Sequence, residues 1–150
     1  GLVGSEMCIR DRAYNVTAYD CVVCAAMDAR CNQVYVALFR VNGGKVERLT
    51  EEECLKTDEA ARMLSEYDDD IMLVGDGAFI MKKATDNEGL ENVKIAPDPL
   101  RCQTGYGVCL AAVNAPQLTP EQLMPMYLKL PQAQRELMAK NAEAYKERKE

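Results

Sequence analysis

The sequence contains no histidine, so any chemistry must come from cysteines, carboxylates, basic side chains or glycine-rich turns. Ser-His-Asp triads, Cys-His dyads and imidazole-ligated metals are excluded at once. Seven cysteines are present, at positions 8, 21, 24, 31, 54, 102 and 109. Cys21 and Cys24 have the C-x-x-C spacing of zinc and dithiol sites. Two valines separate them and no second C-x-x-C follows. In a strand, residues three apart face opposite sides of the sheet. The odd count and the apolar surroundings read as reduced thiols that pack in a core, as suits a cytoplasmic protein.

Gly75-Asp76-Gly77 is the second motif. It lies between a strand-like and a helix-like segment, where backbone amides can approach a phosphate. It lacks the length and the lysine of a P-loop, so a tight turn is the stronger reading. No cofactor is expected, and Gly75, Asp76 and Gly77 are the weak candidates if one binds. Asp28 and Arg30 are a third pair, in a polar turn-like stretch. Asp28 there would cap nearby backbone N–H groups; the competing reading is partner binding or nucleotide sensing. Asp68-Asp69-Asp70 reads as a solvated loop, because a metal site would need further ligands converging on it. No catalytic residue and no metal site are expected.

The net charge is -6, and it is unevenly spread: Glu47 to Glu91 hold 14 carboxylates against 5 Lys/Arg. A protein that grips nucleic acid unaided shows a basic face, so strong direct nucleic-acid binding is not expected. No apolar run approaches the roughly 18 residues that span a bilayer, so no membrane association is expected. With 48% hydrophobic and 28% charged residues, the sequence suffices to bury a core.

The elements that must position these residues follow from local pattern. Cys21 to Met27 is a continuous apolar run, read as a central strand. From Gln33 to Arg40 the pattern alternates: Val34, Val36 and Leu38 point one way, Tyr35, Ala37 and Phe39 the other. Asn42-Gly43-Gly44 is a hairpin signal, with Lys45 to Leu49 returning. Thr57 to Tyr67 is predicted as a helix capped by Thr57 or Asp58. Ile71 to Val74 is a short strand, Phe79 to Ala84 a helix, Asp86 to Gly89 a loop, Val93 to Ala96 a strand and Gly105 to Asn114 a helix rich in small residues. Thr119-Pro120-Glu121-Gln122 is a capping box, and a final helix runs from Gln132 into a charged, solvated tail. A hairpin followed by α and β units predicts a mixed α/β sheet with flanking helices. Residues 1–12 show no period and resemble translated sequencing adapter. They are read as a non-native segment that packs against nothing. Residues 13–131 form the main unit and 132–150 the C-terminal helix and tail.

Three segments together resemble the TsaB (YeaZ) family. They are Met27-Asp28-Ala29-Arg30 followed by Val34-Tyr35, then Leu73-Val74-Gly75-Asp76-Gly77-Ala78, and finally Met124-Pro125-Met126-Tyr127-Leu128-Lys129. The signature residues are Asp28, Ala29, Arg30, Val34, Tyr35, Pro125, Tyr127 and Leu128. The resemblance implies the second subdomain of an actin-like ATPase (ASKHA) fold, with the N-terminal subdomain and its glycine-proline-glycine-serine-phenylalanine-threonine-glycine loop not found in this sequence. It implies a non-catalytic subunit of the complex that forms threonylcarbamoyladenosine on tRNA, working with the catalytic protein TsaD and the ATPase TsaE. The main interface with TsaD would lie on the N-terminal subdomain, and the intact protein is a candidate homodimer. The alternatives are a glycoprotease-like hydrolase and a fragment of an ASKHA-type kinase.

Overall fold

The computed structural model describes residues 6–115 and Thr119. Strand β1 (Cys21–Arg30) is the apolar run, and β2 (Gln33–Asn42) pairs with it antiparallel from Cys21↔Val41 to Asp28↔Val34. The backbone then reverses through Gly43 and Gly44, at φ 55° and 76°. Those angles suit the primed turn that matches the twist of a hairpin. Strand β3 (Lys45–Arg48) returns along the Phe39–Asn42 half of β2.

Strand β4 (Glu53–Lys56) takes the other half of β2, Gln33–Val36. Sequence reading assigns nothing to residues 51–56, because two apolar residues in four carry no clear period. Helix α2 (Thr57–Leu64) follows directly, one turn shorter than expected. Its flanking residue is Lys56, and the Glu59 carboxylate accepts the Lys56 N–H at 3.1 Å. That back-reaching glutamate is half of a capping box.

Strand β5 (Ile71–Val74) runs parallel to β1, and β6 (Val93–Ile95) parallel to β5. Parallel neighbours need crossovers. Helix α3 (Ala78–Asn87) supplies the one between β5 and β6. It extends three residues beyond the predicted end, through an i,i+4 ion pair of Lys82 with Asp86. The sheet order is β3-β2-β1-β5-β6, with β4 also on β2. Helices α4 (Asp98–Arg101) and α5 (Gly105–Val113) complete the described part.

Both sheet faces are covered, as the two-sided strand pattern requires. Val22, Cys24, Ala26, Val34, Val36 and Leu38 share one core with Ala60 and Leu64 of α2 and with Met81 of α3. Val23, Ala25, Ala37, Phe39 and Val41 form the other, against Ile9, Ala13 and Val16. Cys24 belongs to the first and Cys21 to the second, as strand alternation demands.

This second core corrects one expectation. Residues 1–12 were expected to pack against nothing, yet helix α1 (Glu6–Ala13) buries Ile9 completely. Arg10 donates to the Asn114 carbonyl at 2.9 Å, and the fully buried Asp11 accepts from the Gln103 amide. Burial pushes the Asp11 carboxyl above its ordinary pKa, against the opposing pull of Gln103 and Arg12. The physical reason for the miss is spacing. Ile9, Ala13 and Val16 stand at i, i+4 and i+7, one helix face, but the pattern straddles residue 12 and cannot be seen inside the first twelve residues.

The acidic run before β5 is only partly solvated. Asp68 and Asp70 are exposed, but Arg40 of β2 grips Asp69 with two parallel hydrogen bonds, of 2.9 and 2.8 Å. Asn92 donates to the Asp69 carbonyl at 2.7 Å, and the Asp70 carbonyl accepts the Val22 N–H at 2.9 Å. The Arg40 hydrogen bonds, with its charge, hold the Asp69 carboxyl below the usual carboxylate range. A depressed folded value means that the pair stabilises the fold above the unfolded aspartate pKa, about 3.9. The contribution is lost as pH falls through the lower folded value. A carbon NMR titration should therefore place Asp69 below its value in the unfolded protein, and Arg40→Gln should return it towards that value. An unchanged titration in the variant would remove Arg40 as the cause.

Candidate functional site

The parallel strands β1, β5 and β6 end on one side of the sheet, where open α/β sheets form their ligand crevices. Two of the motifs singled out in the sequence lie at that end. The parallel pairing ends at Ala25 and Val74; β1 runs on with β2 to the Asp28–Arg30 turn, and the Gly75 loop folds back against it at Ala26 and Met27.

The Gly75 loop folds back on β1. A Cβ on Gly75 would stand 2.0 Å from the Ala26 carbonyl oxygen, and Gly75 adopts φ 97°. Both facts require glycine. The Gly77 N–H donates to that same Ala26 oxygen at 3.1 Å, and the Gly75 N–H donates to the Arg101 carbonyl at 2.6 Å. These two amides are committed inside the protein and are not aimed at a phosphate. Asp76 stands exposed at the tip of the loop.

The Asp28 turn is built differently. The ladder shifts register between Asp28 and Arg30, a β-bulge. Arg30, Cys31 and Asn32 then take φ 65°, 53° and 58°, three consecutive non-glycine residues in the left-handed region. Each costs roughly 1–2 kcal/mol. The Asp28 carboxylate offsets part of this by accepting the Arg30 N–H at 2.7 Å, and the Asn32 carbonyl accepts the Thr57 N–H at 3.1 Å. Asp28 therefore shapes the turn. The Arg30 side chain is 87% exposed, 3.8 Å from Asp28 at its nearest approach. Of the other signature residues, Ala29 and Val34 are buried, and Tyr35 packs on the second core between Met27 and Cys54. Pro125, Tyr127 and Leu128 lie outside the described residues.

A third loop, after β6, brings in residues that sequence reading missed. Arg101 of α4 stacks its guanidinium over the Phe79 ring at 4.5 Å and pairs with Asp98 at 2.9 Å. Phe79 is 57% exposed, and its ring is the platform on which Arg101 lies. No local signal joins positions 79 and 101; the strand order does.

The loops at this end of the sheet thus carry Asp28 and Arg30, Asp76, and the Phe79–Arg101–Asp98 cluster. The two C-x-x-C thiols lie in the cores on either side of the sheet. Burial pushes Cys24 up to about 12 and raises Cys21, helped by Asp70 and Asp20. Both remain protonated and are poor nucleophiles. Among the described residues no three His, Cys, Asp or Glu side chains converge as a metal site.

No family model and no curated protein matches the sequence. Solved structures do match. One is an uncharacterized protein with similarity to peptidase YeaZ from Pseudomonas aeruginosa, at 19% identity and a TM-score of 0.58 over 83% of this chain. Another is YeaZ from Pseudomonas aeruginosa, at 20% identity and a TM-score of 0.55 over 85% of this chain. The present sequence spans 57% and 58% of the lengths of those two proteins. Among the described residues no helix is long and apolar enough to cross a membrane. The molecule shares the fold of these two YeaZ-type structures, a mixed α/β sheet with flanking helices.

Proposed function

We propose that this protein is a TsaB-type subunit, a non-catalytic member of the cytoplasmic complex that forms threonylcarbamoyladenosine on tRNA. It supports the catalytic protein TsaD alongside TsaE. The observation that carries the reading is that the Gly75-Asp76-Gly77 loop folds back on Ala26 and Met27, the strand residues that lead into Asp28-Ala29-Arg30, within a YeaZ-like fold. Those residues are scattered in the sequence and share no local reason to come together. The histidine-free sequence supports a role without metal-assisted catalysis. The likeness of one neighbour to a peptidase keeps a hydrolase as the second reading.

The test is reconstitution. The protein carrying an N-terminal YeaZ-type subdomain ahead of this sequence should bind TsaD in sedimentation and support nucleoside modification with TsaE, ATP and tRNA. The 150 residues by themselves should do neither, since the proposed contact lies on that other subdomain. Peptide cleavage by the purified protein, abolished by Asp28→Asn or Asp76→Asn, would favour the hydrolase instead. Equal TsaD binding by both forms would move the interface onto the Asp28–Arg30 turn.

A further inference from the structure

Of the seven asparagines, only Asn42 precedes a glycine. It stands exposed at the end of β2, where the backbone turns through Gly43 and Gly44. Apart from its two chain neighbours, neither glycine has an atom within 4 Å of where a Cβ would be, so no other part of the protein crowds the turn. The Gly43 N–H is nevertheless engaged. It donates to the carboxylate of Asp20, just before β1, at 2.8 Å.

We propose that Asn42–Gly43 is a site of spontaneous covalent modification, deamidation through a cyclic imide, and that Asp20 restrains it. The Gly43 nitrogen attacks the Asn42 Cγ. A new N–Cγ bond forms, the Cγ–Nδ2 bond of Asn42 breaks, and ammonia leaves with the proton given up by Gly43. Water then opens the imide at either carbonyl, leaving aspartate or isoaspartate. No oxidant or cofactor enters. Glycine favours the first step because it places no side chain beside the attacking nitrogen.

Asp20 opposes that step in two ways. Its hydrogen bond holds the nucleophilic N–H away from the Asn42 side chain. Its negative charge disfavours the anionic nitrogen that must develop before attack. A hydrogen bond to a charged group is among the stronger ones, and its loss should speed the reaction about tenfold. The product also matters to the fold. Asn42 pairs with Lys45 across the turn. A new carboxylate at position 42 repels Asp20, and an isoaspartate adds a methylene to a two-residue loop whose length sets the register. The conversion therefore loosens the β2–β3 end of the sheet.

The experiment incubates the 150-residue protein at mildly alkaline pH and follows Asn42 by peptide mass mapping, with isoaspartate scored by enzymatic methylation. Wild type, Asp20→Asn and Asp20→Ala are compared, with circular dichroism confirming that each is folded. The expected order of rates is wild type slowest, then Asp20→Asn, then Asp20→Ala at about ten times wild type. The urea-unfolded protein gives the unrestrained rate and keeps the test decisive if a variant does not fold, since native wild type should convert more slowly than it. A native rate equal to the unfolded one, or Asp20 variants no faster than wild type, would overturn the restraint. No conversion of Asn42 even in the unfolded protein would overturn the site.

Discussion

Gly75→Ala should destabilise the protein by about 3 kcal/mol or more, with the thermal midpoint falling by roughly 10 °C. Two penalties coincide. The added methyl would sit 2.0 Å from the Ala26 carbonyl oxygen, which is backbone of the central strand and cannot rotate away. The residue must also hold φ 97°. Relief requires moving the loop off β1, which breaks the Gly77–Ala26 and Gly75–Arg101 hydrogen bonds. Gly43→Ala is the matched control, with positive φ but open space around it. It should cost only about 1 kcal/mol. Urea unfolding of both variants decides the matter; equal losses would show that the contact with Ala26 does not set the cost.

Phe39→Ala should cost about 4 kcal/mol. Phe39 is 1% exposed and is the largest fully buried side chain among the described residues, so its removal leaves a cavity in the second core. It also supports a charge pair. Arg48 lies over the ring, 5.4 Å from its centroid, and its guanidinium reaches the buried Glu52 carboxylate at 2.7 Å. Without the ring, that pair loses its apolar seat. Phe79→Ala provides the contrast, because Phe79 is exposed and stacked by Arg101. It should change stability by about 1 kcal/mol or less. Denaturant titration of both variants separates a core phenylalanine from an exposed one. A loss below about 1 kcal/mol for Phe39→Ala would contradict the packing described for the second core.

The same contrast shows what was legible in the sequence. Local period placed β1, β2, β5, β6, α2, α3 and α5, because alternation and helical spacing are written in consecutive residues. It also divided β2 correctly between two faces: Val34, Val36 and Leu38 against Ala37 and Phe39. Asn42-Gly43-Gly44 named its own turn, since positive φ is a property of those residue types. Strand β4 was not legible, because four residues with two charges pair only when β2 offers a free edge.

Everything that makes a site was decided at longer range. Sequence reading could name Gly75 as a turn glycine, but the need for glycine comes from Ala26, 49 positions earlier, pressed against it by the parallel β1–β5 pairing. Arg40 and Asp69, Arg101 and Phe79, and Asp20 and Gly43 are likewise brought together only by strand order and register. Helix α1 counts as structure because the open face of β1 and β2 gives Ile9, Ala13 and Val16 something to bury against. Composition and period fix which residues prefer to be inside, extended or turning, because those preferences are local free energies. Which of them meet is fixed by the crossovers between strands, and their contact free energy exists only once the sheet has formed.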